Sequence, residues 1–135
     1  MGSDADVIRR VTDEAFIGGK LDVIDEMFAD DFVDHDPLPG MPGDKTGQKA
    51  IAEMVVNAFS DRKAEVDEYV ETTDGRVVEN WVMVGTHTGE FAGMPPSNQS
   101  IRVRGIEIWR CADGKITEHW GAVDLSDVAE KAAGS

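Results

Sequence analysis

A chain of 135 residues with 13 Lys+Arg against 27 Asp+Glu has a formal charge of −14, which repels phosphate backbones and anionic headgroups and argues against nucleic acid or a membrane surface as partner. The length suits one domain over residues 1–135 with a core of its own. The single cysteine, Cys111, excludes an internal disulfide. Charged residues break every apolar run well short of the roughly 20 residues of a membrane helix, and no signal-peptide profile opens the chain, so a cytoplasmic protein is expected.

Three amphipathic helices are predicted first. Ser3 can cap the first, with Asp6 as its box partner, and Ala5, Ile8, Val11, Ala15 and Phe16 then recur at helical spacing until Gly18-Gly19. Leu21, Ile24, Met27 and Phe28 mark a short second helix. After the Pro/Gly loop from Pro37 to Gly47, Ile51, Met54, Val55, Ala58 and Phe59 mark a third. A short strand, Phe32 to His35, precedes that loop. The second half reads as strands: Ala64 to Thr73 and Arg76 to Glu90 joined across Asp74-Gly75, then Ile101 to Arg110 and Lys115 to Asp124 joined across Asp113-Gly114. Asp-Gly between two alternating runs is a strong hairpin signal. Helices followed by hairpins, with no internal repeat, predict an α+β fold in which a mostly antiparallel sheet meets the apolar faces of the helices.

Alternation puts Trp81, Met83, Gly85 and His87 on one face of their strand, and Glu107 with Ile101, Val103, Gly105 and Trp109 on one face of the next. In the last strand His119 shares parity with Gly121, and Asp124 falls on the other side unless a bulge at Gly121 reverses it. Polar groups thus lodge among aromatics, where burial makes a carboxylate harder to ionise and a small shift poises a histidine near neutrality. Glu107, His119 and His87 are the candidate acid/base residues. Asp34 and His35 are placed at a pocket mouth, and Phe16, Trp81, Trp109 and Asp124 are expected to contact a ligand. The loop from Phe91 to Gln99, with Phe91 and Met94, is expected to wall one end.

No metal is expected, because His35, His87 and His119 lie in separate segments without close ligand spacing. Glycine-rich phosphate cradles are missing, and Cys111 has no cation cluster or helix N-terminus to activate it.

Gly85-Thr-His-Thr-Gly-Glu-Phe-Ala-Gly-Met-Pro-Pro96 and Asp113-Gly-Lys-Ile-Thr-Glu-His-Trp120 resemble the SnoaL-like polyketide cyclase and predicted ester cyclase family, and Ala15-Phe16, Asp31-Phe32 and Gly47 fit the same pattern. The resemblance implies a cone-shaped α+β barrel like nuclear transport factor 2, with a curved sheet wrapped around the N-terminal helices, a deep pocket for a small hydrophobic molecule, and a homodimer or homotetramer. It also implies an intramolecular aldol closure without metal or organic cofactor. In characterised cyclases the general acid/base is an aspartate two positions after the last-strand histidine, where this chain has Gly121, and a second pocket histidine falls on Glu107.

Since Glu107 and Gly121 would face each other across the hairpin, the carboxylate has a route from one strand to its neighbour. Glu107 is therefore expected to act as base beside a carbonyl, with His119 or His87 donating to the enolate oxygen. The alternatives are a non-catalytic binding module of the same fold, favoured by the loss of the known acid at Gly121, and a cofactor-free hydrolase or oxygenase; a pocket plugged by Phe16, Trp81 and Trp109 would argue for a structural or interaction role.

Overall fold

The computed structural model of the chain describes residues 3–134, so Met1, Gly2 and Ser135 at the ends of the expected domain lie outside it. Helix α1 (Asp4–Arg10) opens with the predicted capping box: the Ser3 hydroxyl accepts from the Asp6 N–H and the Asp6 carboxylate accepts from the Ser3 N–H. It runs on as a widened π-helical stretch, Val11–Ile17, and stops at the predicted glycines, where Gly19 has φ 78°.

Helix α2 (Asp22–Met27) ends one residue before its apolar spacing predicts, because Phe28 opens strand β1 (Phe28–Asp34) instead. Phe28 satisfies both periods, standing four residues from Ile24 and four from Phe32. The strand wins by packing Phe28 edge-on against Phe32 at 4.7 Å and Trp109 at 6.0 Å.

Helix α3 (Lys45–Ala58) is capped by Asp44, whose carboxylate accepts from the Thr46 and Gly47 N–H groups. A side chain at Gly47 would overlap the Pro42 carbonyl, so glycine lets the first turn press against the preceding loop. Strand β2 (Phe59–Glu71) follows with no loop at all and is longer than predicted. Strands β3 (Arg76–His87), β4 (Ser100–Ala112) and β5 (Lys115–Asp124) form with β2 the two predicted Asp-Gly hairpins; Gly75 has φ 84°, and Asp113 and Gly114 have φ 53° and 75°.

The sheet order is β1-β5-β4-β3-β2. Four strands are antiparallel as expected, but β1 pairs parallel to β5, making the sheet mixed. Parallel neighbours need a long crossover, and the whole chain from α3 to β4 supplies it. A fourth helix, α4 (Ser126–Ala133), was not expected: only Val128 and Ala132 of its eight residues are buried, too thin a stripe to read from sequence.

The bulge of β5 lies near its start rather than at Gly121. Arg110 pairs with Glu118 and Cys111 with Ile116, so Thr117 is the extra residue, and both Ile116 and His119 turn inward. Buried apolar residues form two clusters, one joining α1, α2 and β1 to Trp109, the other joining Phe59, Met83, Phe91 and Val103 to Val128 of α4.

Candidate active site

A cavity of about 180 Å³ has walls drawn from both clusters. Its exposed lining residues, Asp36, Ala64, Ala122 and Val123, mark the mouth, and the deeply buried Glu79 and Trp109 mark the floor. Between them the walls are largely apolar, including Phe16, Val55, Phe59, Met83 and Val103.

His119 is held between two carboxylates. Its Nδ1 is 2.7 Å from Asp34 Oδ1 and its Nε2 is 2.7 Å from Glu107 Oε1. Burial alone would lower the pKa of the imidazole, but these hydrogen bonds and charges raise it to about 9, so the ring is an imidazolium donating from both nitrogens at neutral pH. For Asp34, burial is again the largest single influence and would raise its pKa; the His119 hydrogen bond, its charge, the Asp36 N–H and the Gln48 amide together hold it below the usual value. Gln48 reaches Asp34 from the first turns of α3 at 2.8 Å, which depends on the close seating that Gly47 permits.

Two Glu-x-Trp segments cross-brace the sheet. Glu79 and Glu107 are opposite one another on β3 and β4, and each strand carries a tryptophan two residues further on. Trp81 Nε1–H donates to Glu107 Oε2 at 2.7 Å, while Trp109 Nε1–H donates to Glu79 Oε1 at 3.1 Å. Each indole therefore holds the other strand's glutamate. The Trp81 ring lies over Gly105, where any side chain would overlap it.

Glu107 also faces Gly121, as the hairpin register predicts. A Cβ at 121 would overlap Glu107 Oε1 and come within 2.8 Å of His119 Nε2, so the glutamate carboxylate fills the space of the missing side chain. Glu79 is 2% exposed; burial first, and the neighbouring Asp67 carboxylate second, push its pKa up to about 8. Sequence reasoning missed Glu79, although it shares the inward parity of Trp81 and repeats the spacing of Glu107 and Trp109. Gln48 was likewise missed, while Asp34, placed at a pocket mouth from sequence, lines the cavity and accepts from the Gln48 amide. Their contact joins β1 to α3 and leaves no mark in local periodicity.

Of the residues proposed from sequence, Glu107, His119, Phe16, Trp81, Phe91 and Trp109 line the cavity. His87 does not. It is fully buried against Phe59, with ring centroids 5.3 Å apart, and neither ring nitrogen has a hydrogen-bond partner among the described residues. His35 lies beyond β1 at the surface, stacked on Trp120 at 4.7 Å and 3.2 Å from Glu118, because Trp120 has the opposite parity to His119. Met94 pairs with Phe91 in the loop and packs on the second cluster, outside the lining. Asp124 is exposed, its carboxylate accepting from the Ser126 N–H at the start of α4. Among the described residues no group of three or more His, Cys, Asp or Glu side chains is arranged to hold a metal ion.

The sequence profile of the SnoaL-like polyketide cyclases matches residues 6–131. The nogalonic acid methyl ester cyclase of Streptomyces nogalater is 32% identical over 108 residues, covering 78% of this chain and 79% of that one. The aklanonic acid methyl ester cyclase DnrD of Streptomyces peucetius is 29% identical over 123 residues, covering 88% and 83%. IdmH of Streptomyces antibioticus, a candidate polyketide cyclase of known crystal structure, superposes with a TM-score of 0.80 at 30% identity over 98% of this chain and 99% of its own. With the family profile spanning nearly all of the described residues and the mixed curved sheet shared with IdmH, this chain belongs to the SnoaL-like polyketide cyclase family.

Proposed function

We propose that the protein is an ester cyclase of this family that closes a ring in a small hydrophobic carbonyl compound by acid/base chemistry, without metal or organic cofactor. The observation carrying the reading is the Glu107 carboxylate seated in the space of a Gly121 side chain, hydrogen-bonded to an imidazolium at the cavity wall. Glu107 takes the proton from the carbon beside a carbonyl. Once protonated, it holds His119 Nε2–H less strongly, and that proton turns to the developing enolate oxygen, which then needs no solvent to carry its charge. The enolate carbon attacks a second carbonyl of the same molecule, and the new alkoxide takes up the proton that Glu107 removed, which restores the carboxylate. Acid/base help of this kind is worth roughly 10²–10⁴ in rate. His119 takes the donor role because His87 lies outside the cavity lining.

A second copy of the chain and a cytoplasmic setting belong to the same proposal. Ile108 and Trp120 are cross-strand partners beside the exposed Ile106, an apolar strip on the outer face that a homodimer or homotetramer would cover; sedimentation tests it. No described helix is long and apolar enough to cross a membrane.

One observation favours a non-catalytic binding module: both Glu107 oxygens are already engaged, by His119 and Trp81, and the residue is 6% exposed. Incubation with the methyl esters of nogalonic and aklanonic acid, followed by chromatography, separates the two readings. Conversion to a ring-closed isomer supports the cyclase, whereas binding of both esters with no conversion of either supports the module.

A further inference from the structure

Glu79 is a buried acid that the proposed chemistry leaves unused. It lines the cavity together with Thr12, whose hydroxyl is 2.8 Å from Glu79 Oε2. Although Glu79 and Glu107 are cross-strand partners, their carboxyl groups lean apart. That of Glu107 reaches toward His119 and Gly121 on β5, and that of Glu79 toward Thr12 on the π-helical stretch and Tyr69 on β2. The cavity thus has two polar places with apolar wall between them, one fixed by each glutamate.

The surroundings of Glu79 are those of a neutral acid. Asp67 and Tyr69 face it from β2, Glu107 from β4, and Asp13 follows Thr12; Arg9 of α1 stands over the Tyr69 ring at 4.7 Å, and His119 of β5 is reached through the Trp109 ring. No cation donates a hydrogen bond to Glu79 among the described residues. Asp67 Oδ1 is buried with no hydrogen-bond partner among them. A protonated Glu79 can supply that bond, which leaves the Thr12 hydroxyl free to turn its proton to a ligand. An ionised Glu79 takes the Thr12 proton for itself.

We propose that Thr12 and Glu79 form a second oxygen-binding station at the cavity floor, which holds a carbonyl oxygen at the far end of a fused-ring ligand whose reacting carbonyl lies at Glu107. The proposal rests on the cyclase reading for its reacting end. It gives the ligand acceptor oxygens at both ends of an apolar frame, and it fixes which end enters first.

The test compares trans-decalin-2,6-dione with trans-2-decalone, two rigid ketones that differ by the second carbonyl. Affinities are measured by calorimetric titration at pH 6 and pH 9 for the wild type, Glu79→Gln and Thr12→Val. The wild type should prefer the dione by about tenfold at pH 6, beyond the factor of two that two equivalent ends provide, and the preference should collapse at pH 9. Titration of His119 acts at the carbonyl both ketones share and cancels in the ratio. Glu79→Gln, which stays neutral, should keep the preference at both pH values, and Thr12→Val should lose it at both.

A wild-type preference no larger than twofold at pH 6, or one retained in Thr12→Val, overturns the station. Deuterium exchange beside the carbonyl, followed on the same samples, reports the cyclase reading separately: a pH-dependent preference without exchange supports the station while removing the enolisation chemistry.

Discussion

Glu107 and Gly121 are cross-strand partners, and the carboxylate of the one occupies the space a side chain of the other would fill. A methyl group is therefore enough to disturb the site. Gly121→Ala should displace Glu107 from His119 and lower turnover by about 10²-fold, the lower end of what a positioned base contributes, with the fold intact by circular dichroism. Adding Glu107→Ala to Gly121→Asp moves the carboxylate to the other strand and should recover part of the lost rate. A double variant no more active than Glu107→Ala alone would show that the position of the carboxylate does not matter.

His119 is the only cation between Asp34 and Glu107 among the contacts described. Its removal strands two buried carboxylates, and breaking a buried ion pair from one side costs roughly 3–5 kcal/mol. His119→Gln should lower the urea midpoint accordingly. Asp34→Asn, which removes one raising partner, should bring the His119 titration down from about 9 in an NMR experiment on the imidazole. A titration unchanged by that substitution would contradict the sandwich.

The pH dependence of stability follows from two raised values. Glu79, at about 8 in the fold against 4.5 ordinarily, favours folding fully below about pH 4.5, and that contribution is lost as pH rises to 8. His119, at about 9 against 6.5, acts in the same direction between those values. The lowered Asp34 works oppositely, its contribution fading as the solution turns acid. The urea midpoint should therefore be highest near pH 5 and decline toward pH 9, and Glu79→Gln should flatten the part of that decline below pH 8. A midpoint that climbs steadily from pH 5 to pH 9 would be incompatible with both assignments.

Trp81 donates its indole N–H to Glu107 while its ring rests on Gly105. Trp81→Phe keeps an aromatic ring and removes the donor, and should cost about tenfold in turnover and about 1–3 kcal/mol in stability. Gly105→Ala pushes the ring itself aside and should lower both.

Much of this was legible in the sequence because it is local. The Ser3-Asp6 box, both Asp-Gly hairpins and the facing of Glu107 and Gly121 follow from spacing alone, and the motifs around His87 and His119 pointed to the family. What was not legible depends on the third dimension. Phe28 fits either a helix or a strand until Phe32 and Trp109 decide it. The bulge at Thr117 turns Ile116 and His119 to the same side with no glycine to announce it. His87 and His119 look equivalent in sequence, yet one is packed against Phe59 and the other faces the cavity between carboxylates. Glu79 had the parity and spacing of a site residue, and its burial separates it from an ordinary surface glutamate.

Glu107 is the base in the proposed ring closure. Proton exchange tests that role: cyclic β-keto esters and polyketide-like ketones are incubated in D₂O with the wild type and with Glu107→Gln, and the signal of the carbon beside the carbonyl is followed by NMR. Enzyme-dependent exchange is expected in the wild type and should fall by at least about 10²-fold in the variant while binding persists. Equal exchange by the two proteins would contradict it.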